Sequence, residues 1–512
     1  MPGKTKKELV EEFLKKGVLL TPDYLKDMES KKDIEHIPKD MLIMDKKLSS
    51  TRLTKNINWK DLDRSMVNKD KGSGNKQYAK FLDYLDEQGL EAQKKVKIIF
   101  SYKDKEKKPT LQDFVGYFNS RFSTMEPLIG HHSEIKKLLT INKLKNKKDR
   151  EIVSIIGIVE EIYITKNRNI LLTIEDPSGT FKVLINQNKP ELIKIGKNIV
   201  LDQIIGITGA VSENIIFANS IIEPDIPLTK SFKKAPLESY AIFLSDIHVG
   251  STYFLEEEFK KFLKWINQQS GSEKQKQIAS KVEYIFIIGD LVDGVGIYPN
   301  QEKELSIKDI HEQYVECAKL LDQIPKHIKI IICPGNHDAV RLSEPQPVLS
   351  KEYASPLWEL ENVIMVSNPS SVLIHESEDF PGFEVLMYHG YSFDYYVAQI
   401  DSIRNSGGYD RPDLIMKFLL KKRHLAPSHT STLYVADSEK DNLVIDRIPD
   451  FFVTGHIHKS SVSQHRNITL ICGSCFQSTT SFQEKLGHKP EPCRVPVVNL
   501  KTRKVNVLRF GD

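Results

Sequence analysis

Residues 240–248 read Tyr-Ala-Ile-Phe-Leu-Ser-Asp-Ile-His, five apolar and β-prone side chains that run directly into Asp246 and His248. A short, wholly apolar run is what a strand buried on both faces requires, and such strands belong to sheets covered by helices. The arrangement recurs through the C-terminal half. Residues 284–288 lead to Gly289-Asp290-Leu291-Val292-Asp293-Gly294, and 328–332 to Gly335-Asn336-His337-Asp338. Residues 384–388 lead to His389-Gly390, and 451–453 to Gly455-His456-Ile457-His458. Residues 468–471 form one more run of this kind. Apolar strands followed closely by Asp, Asn, His or Gly are how an α/β fold presents chemistry on loops just past its strand ends.

These residue types point to metal. Carboxylate oxygen, amide oxygen and imidazole nitrogen together suit Mn²⁺, Fe²⁺ or Zn²⁺ better than Ca²⁺, which takes oxygen ligands only. Asp246-x-His248 and His456-x-His458 are expected to place two ligands on the same side of an extended segment, because strand side chains repeat every two residues. The Asp290 carboxylate is placed to bridge two cations. Paired metals about 3.5–4 Å apart can activate a water, neutralise phosphate oxygens and stabilise a leaving oxygen. Glycines beside the ligands let the backbone turn sharply near such a site. Taken singly, each cluster has an ordinary reading: His389 as a core histidine, Gly289-Asp290 as turn chemistry. Five in order, each after a strand, do not.

Upstream, residues 151–225 change period. Runs at 152–164, 170–174, 181–185, 199–211 and 215–222 read as five strands, with the turn Asp176-Pro177-Ser178-Gly179 between the second and third. A short segment at 190–195 interrupts the third and fourth. That order predicts an OB-fold, a five-stranded β-barrel that either binds single-stranded nucleic acid or serves as an adaptor. Residues 111–144 have a helical pattern, and Phe114, Tyr117, Phe118 and Phe122 form an aromatic face expected to pack on the next domain. Residues 7–28 read as a small helical unit, with Thr21-Pro22-Asp23 starting its second helix. Residues 67–77 are too polar to bury much. The expected division is a helical N-terminal domain at 1–45, a flexible Lys-rich linker at 46–110, a helical lead-in plus OB-fold at 111–228, and the α/β domain with the clusters at 229–512.

Composition sets the remaining bounds. The net charge of +4 identifies no partner. Lysine is dense up to about Lys108 and again at 136–150, and such tracts either follow a phosphate backbone or are solvated surface. Five cysteines form an odd, sparse set that reads as reduced thiols in an intracellular compartment. Cys472-x2-Cys475 with His488 and Cys493 has spacing close to a zinc pattern, but Cys472 ends a strand inside the α/β domain, which favours packing. The basic start Met-Pro-Gly-Lys-Thr-Lys-Lys has no apolar stretch after it, and no run nears about 18 apolar residues, so neither a signal peptide nor a membrane partner is expected.

The five clusters resemble the motif series of the calcineurin-like metallophosphoesterase superfamily: D-x-H, G-D-x-x-[DE], G-N-H-[DE], a lone H, and G-H-x-H. The resemblance spans about residues 240–500. It implies a four-layer α/β/β/α fold, with one metal held by Asp246, His248, Asp290 and His458. The other would be held by Asp290, Asn336, His389 and His456. His337 would sit near the leaving group as acid or transition-state stabiliser, oriented by Asp338. Ser/Thr phosphatases of the superfamily carry Arg after the second motif and Glu at the end of the third. Gly294 and Asp338 stand there instead, which departs from that branch.

Outside the motifs the chain is similar to the small subunits of archaeal family D DNA polymerases. The residues that carry this are Lys421-Lys422-Arg423-His424-Leu425-Ala426-Pro427, Leu443-Val444-Ile445, Pro449-Asp450 and Phe476-Gln477-Ser478-Thr479-Thr480-Ser481-Phe482-Gln483. The resemblance implies a cytoplasmic 3′→5′ proofreading exonuclease that acts on single-stranded DNA or a primer 3′ end beside a larger polymerising subunit. It implies two divalent cations, Mn²⁺ first, with Fe²⁺, Zn²⁺ or Mg²⁺ as alternatives. Tyr391 and Phe393 are placed either to stack on a frayed 3′ base or to pack in the core. Two rival readings stand beside this one. The first is a non-catalytic assembly subunit, like the eukaryotic B-subunits that share the layout but have lost metal ligands. The second is a phosphatase or cyclic-nucleotide phosphodiesterase acting on small molecules.

Overall fold

The computed structural model describes residues 96–104, 109–486 and 488–511. The helical domain expected at 1–45 lies outside the described residues, as does most of the linker expected at 46–110. One part of that linker is corrected. Val96–Ser101 is a strand, β1, and pairs antiparallel with residues 370–374 at the edge of a sheet in the α/β domain. Lysines on both sides of this short strand hid it, and its partner lies some 270 positions away in sequence, where no local pattern reaches. Just past it, Tyr102 is buried and donates its backbone N–H to Ser367 Oγ at 2.7 Å.

The barrel follows as expected. Its strands are β2 (Ile152–Ile164), β3 (Ile170–Asp176), β4 (Gly179–Ile185), β5 (Ile204–Ser212) and β6 (Ile215–Ile222), closed in the order β2-β3-β4-β6-β5. Inward positions alternate: Ile170, Leu172 and Ile174 are buried, while Leu171 and Thr173 between them are half-buried. The segment after β4 is a helix, Pro190–Gly196, begun by a proline that needs no backbone donor. The fourth strand starts at Ile204 rather than 199, because Asp202 turns left-handed (φ 63°) and breaks the extended run.

The rest is a sandwich of two six-stranded sheets. One contains β7 (Tyr240–Leu244), β8 (Val282–Ile288), β9 (Lys329–Cys333), β10 (Val363–Met365), β16 (Arg494–Asn499) and β17 (Val505–Arg509), in the order β10-β9-β8-β7-β16-β17. The other contains β1, β11 (Ser370–Ser377), β12 (Phe380–Met387), β13 (Phe451–Thr454), β14 (Ser461–His465) and β15 (Ile468–Cys472), in the order β1-β11-β12-β13-β15-β14. Ala241, Phe243, Phe286 and Ile331 meet Val372, Phe383, Phe451 and Val453 between the sheets. Their strand neighbours Ile242, Leu244, Ile285 and Ile330 face outward onto the helices Glu256–Ile266 and Ile310–Asp322. On the far side, Phe452 and Leu470 pack on Phe393–Gln399 and Pro412–Lys422. Both faces of the central strands are covered, which is why they read as unbroken apolar runs, and the four layers are those the resemblance implies.

The helix Leu111–Gly130 joins barrel to sandwich. Phe122, Met125 and Ile129 pack on Ile156, Ile204 and Ile222 of the barrel, while Phe114 and Tyr117 lie 5.9 and 5.0 Å from the Tyr434 ring. The aromatic face therefore packs as its spacing predicts. Between them the buried Arg121 bonds the Asp441 carboxylate at 2.7 Å and donates to the carbonyls of Asp202 and Pro427.

Candidate metal centre

The ligand candidates follow the C-terminal ends of β7, β8, β9, β12 and β13. Their side chains converge: ligand atoms of Asp246, His248 and His458 lie within 4.8 Å of one another, as do those of Asp290, His389 and His456. In the first group, His248 Nε2 is 3.1 Å from His458 Nε2, and His458 Nε2 is 3.5 Å from Asp246 Oδ1. In the second, His389 Nε2 is 3.3 Å from Asp290 Oδ2 and 3.0 Å from Asn336 Oδ1. Asp290 Oδ2 also lies 3.9 Å from His248 Nε2, so this carboxylate stands between the two groups.

Convergence does not come from extended backbone, which corrects the expectation from the spacing. Asp246, His248, Asp290, His456 and His458 all have left-handed φ between 51° and 71°. Such conformations cost about 1–3 kcal/mol each and persist only where the surroundings over-determine them. Here they are held by backbone bonds, Asp246 N–H to Gly289 O at 3.0 Å and His248 N–H to Asp290 O at 3.1 Å. Ile247 and Ile457, buried in the two helix-facing cores, anchor the middle of each pair. Close approach also needs Gly335, because a Cβ there would stand 2.2 Å from Asp290 Oδ1.

The donor set fits a pair of divalent cations. The outer nitrogen of His248, Nδ1, lies 3.0 Å from Asp293 Oδ1, and that of His389, Nδ1, lies 2.9 Å from Ile288 O. An ionised carboxylate and a carbonyl only accept, so these nitrogens each carry a proton, and a cation that displaces the proton on Nε2 meets a lone pair turned into its group. Burial pushes the Asp290 carboxyl up, but His389 and its neighbouring histidines outweigh it and hold it well below the usual range. Burial likewise lowers the His389 imidazole, and Asp290 reverses this to raise it to about 10. Concentrated negative charge facing ring nitrogens is what a cation site requires.

His337 and Asp338 separate in role. His337 is half-buried, with Nδ1 2.7 Å from the Asp293 carbonyl and its backbone N–H on Asp290 Oδ1 at 2.8 Å. The expectation that Asp338 orients His337 is corrected. Asp338 is buried and accepts instead from Gly335 N–H at 2.8 Å and Tyr314 Oη–H at 3.2 Å, so it shapes the loop rather than the ring.

A model of the calcineurin-like phosphoesterase family matches residues 241–460. The DNA polymerase II small subunit of Methanothermobacter thermautotrophicus is 39% identical over 393 residues, covering 77% of this chain and 78% of that protein. That of Archaeoglobus fulgidus is 37% identical over 402 residues, 78% of each chain. That of Methanocaldococcus jannaschii is 42% identical over 395 residues, 76% of this chain and 64% of its own length. The chain belongs to the family of DNA polymerase II small subunits. Both resemblances are thereby borne out, that of the motifs to the calcineurin-like phosphoesterases and that of the residues outside them to the small subunits.

The structure also gives a place to residues that the motifs left unassigned. Gln477 and Gln483, in the run quoted for the resemblance, stand behind the ligands: Gln477 Nε2 donates to Asp293 Oδ1 at 2.8 Å, and Gln483 Nε2 lies 3.0 Å from His458 Nδ1. Asp394, five positions after His389, meets His456 Nε2 at 3.0 Å through Oδ2; its only sequence signal is an acid in the first turn of a helix. Phe393 is fully buried among Tyr388 and Tyr396, which removes it as a base-stacking platform. Tyr391 remains half-buried with its ring 5.7 Å from that of His456. Cys472 and Cys475 are buried with sulfurs facing the carbonyls of Gly455 and Gln477, and among the described residues no cysteine joins a ligand group. Among the same residues no helix is long and apolar enough to cross a membrane.

Proposed function

We propose that this chain is a metal-dependent 3′→5′ DNA exonuclease that proofreads for an archaeal replicative DNA polymerase beside a larger polymerising subunit. The observation that carries this reading is the convergence of Asp246, His248, Asp290, Asn336, His389, His456 and His458 into two groups that share Asp290. Two divalent cations, Mn²⁺ before Fe²⁺, Zn²⁺ or Mg²⁺, would supply water activation and charge neutralisation at the phosphate. The chain's own residues do the rest. Asp290 keeps the two groups at a shared distance. His337 binds the phosphate or leaving oxygen through Nε2, since Nδ1 is engaged at Asp293. With Nδ1 donating, Nε2 donates only when the ring is protonated. Burial opposes that state, and approaching phosphate charge favours it.

The barrel serves assembly in this reading. Around the exposed Tyr163 and Ile164, its outer face mixes the exposed acids Glu160, Glu161 and Glu175 with the exposed Lys182, and an exposed apolar patch in a rim of mixed charge suits docking of the large subunit. The primer 3′ end or single-stranded DNA is then presented to the sandwich by the complex.

The test is digestion of 5′-labelled single-stranded DNA with Mn²⁺, by the chain alone and with the large subunit, with Asp290→Ala as control. A descending ladder that vanishes in the variant is expected. Equal absence of cleavage by parent and variant, with the large subunit present, would leave the assembly role alone.

A further inference from the structure

The four candidate histidine ligands are anchored unequally. His248 is held by Asp293, whose side chain is fully buried and itself accepts from Gln477 and Gln301. His389 is held by a strand carbonyl. His458 faces the Gln483 amide. His456 alone depends on a carboxylate at the rim: Asp394 Oδ2 lies 3.0 Å from Nε2, and the Asp394 side chain is 48% exposed. Asp394 stands outside the group that Asp290, His389 and His456 form.

We propose that Asp394 is a positioning residue for the cation held by Asp290, Asn336, His389 and His456. Its carboxylate accepts the Nε2 proton of His456 and so fixes the tautomer in which Nδ1 keeps a lone pair for the group. The backbone of His456 is fixed separately, its N–H lying 3.1 and 3.0 Å from the two Asp246 oxygens. Rotation of the ring is therefore the remaining freedom, and Asp394 removes it. Asp394 is in turn held through its helix, which the buried Phe393 pins, and its carboxylate stands near the Tyr409 phenol. Next to Tyr409, Asp410 pairs with Lys459 at 2.6 Å, which ties this rim to the segment leaving His458. His456 thus receives its orientation from a helix and a loop that carry no ligand of their own.

This inference rests on reading the seven residues as cation ligands, and not on the substrate. The experiment is calorimetric titration of the full chain with Mn²⁺ alone, together with thermal unfolding of the chelated protein. The parent should take up two cations. Asp394→Ala should weaken one of the two by about 10–100-fold and leave the other, with unfolding of the chelated protein unchanged. Asp394→Asn keeps an acceptor without the charge and should fall between. Should Asp394→Ala fold poorly, a weakened single step in Asp394→Asn carries the proposal. Two cations bound with parental affinity by both variants would overturn it. A parent that binds fewer than two cations would overturn the ligand reading itself, and a parent that binds two but cuts no DNA would overturn only the nuclease reading.

Discussion

Nδ1 of His337 lies 2.7 Å from the backbone carbonyl of Asp293, while the Asp293 side chain holds His248 Nδ1 at 3.0 Å. One residue thus orients both a ligand and the imidazole expected to meet the substrate, through different atoms.

His337 makes no bond that the ligand groups depend on through its ring. His337→Ala should therefore lower exonuclease turnover by about 10²–10³-fold, the range for loss of one preorganised donor to a developing charge. Binding of Mn²⁺ should stay within a few-fold of the parent. Single-turnover cleavage alongside calorimetry separates the two, and loss of cation binding in this variant would place His337 among the ligands instead.

The Asp290–His389 pair sets a pH dependence. Burial lowers the His389 imidazole, Asp290 overcomes it, and the folded value rises to about 10. That is above the unfolded value of about 6.5. The contribution to stability of the cation-free protein is therefore complete below about pH 6.5 and fades as pH rises through the folded value. Cation binding needs that proton to leave, so affinity should move the opposite way, rising by up to about tenfold per pH unit where one proton is released. Titrations with Mn²⁺ between about pH 6.5 and 8.5 should show this slope. An affinity flat across the window would mean His389 is not a ligand.

Arg121 and Asp441 hold the lead-in helix to the sandwich at 2.7 Å, with Asp441 also 2.8 Å from His424 Nε2. Burial pushes the Asp441 carboxyl up, but Arg121 and His424 outweigh it and hold it well below the usual range. A depressed folded value gives stability that is present above the unfolded value of about 3.9 and is lost as pH falls through the folded one. Arg121→Ala leaves a buried carboxylate short of its main partner, and should cost about 3–5 kcal/mol in urea unfolding. Adding Asp441→Asn should recover part of that loss, because the uncompensated charge goes with it. No recovery in the double variant would show that packing of Arg121 against Tyr117 dominates instead.

The parts of the fold legible in sequence are those with both faces covered. Strands such as Tyr240–Leu244 and Val282–Ile288 are apolar throughout because helices lie on one side and a second sheet on the other. Strands missed by pattern, such as Ser370–Ser377 and Ser461–His465, carry polar side chains at half-covered or edge positions. The motif histidines and aspartates were legible for the same reason as the strands: each follows a buried run at fixed spacing. Asp394, Gln477 and Gln483 were not, because an acid or amide in a loop has no local pattern that says which ring it faces.

Sequence by itself determined an α/β domain with polar clusters past its strand ends and a barrel before it, since these depend on short-range periodicity and residue type. The α/β/β/α layering, the family and the seven ligand candidates came from the resemblance that the motifs and the residues around them carry. Tertiary structure alone decided how the ligands meet. Asp-x-His and His-x-His converge through left-handed residues pinned by bonds between neighbouring strand ends, not through the alternation of an extended chain. It also decided that Asp338 serves its own loop, through Gly335 three positions away, while Asp293 serves two rings 44 and 45 positions away, because hydrogen-bond partners are chosen by distance in space.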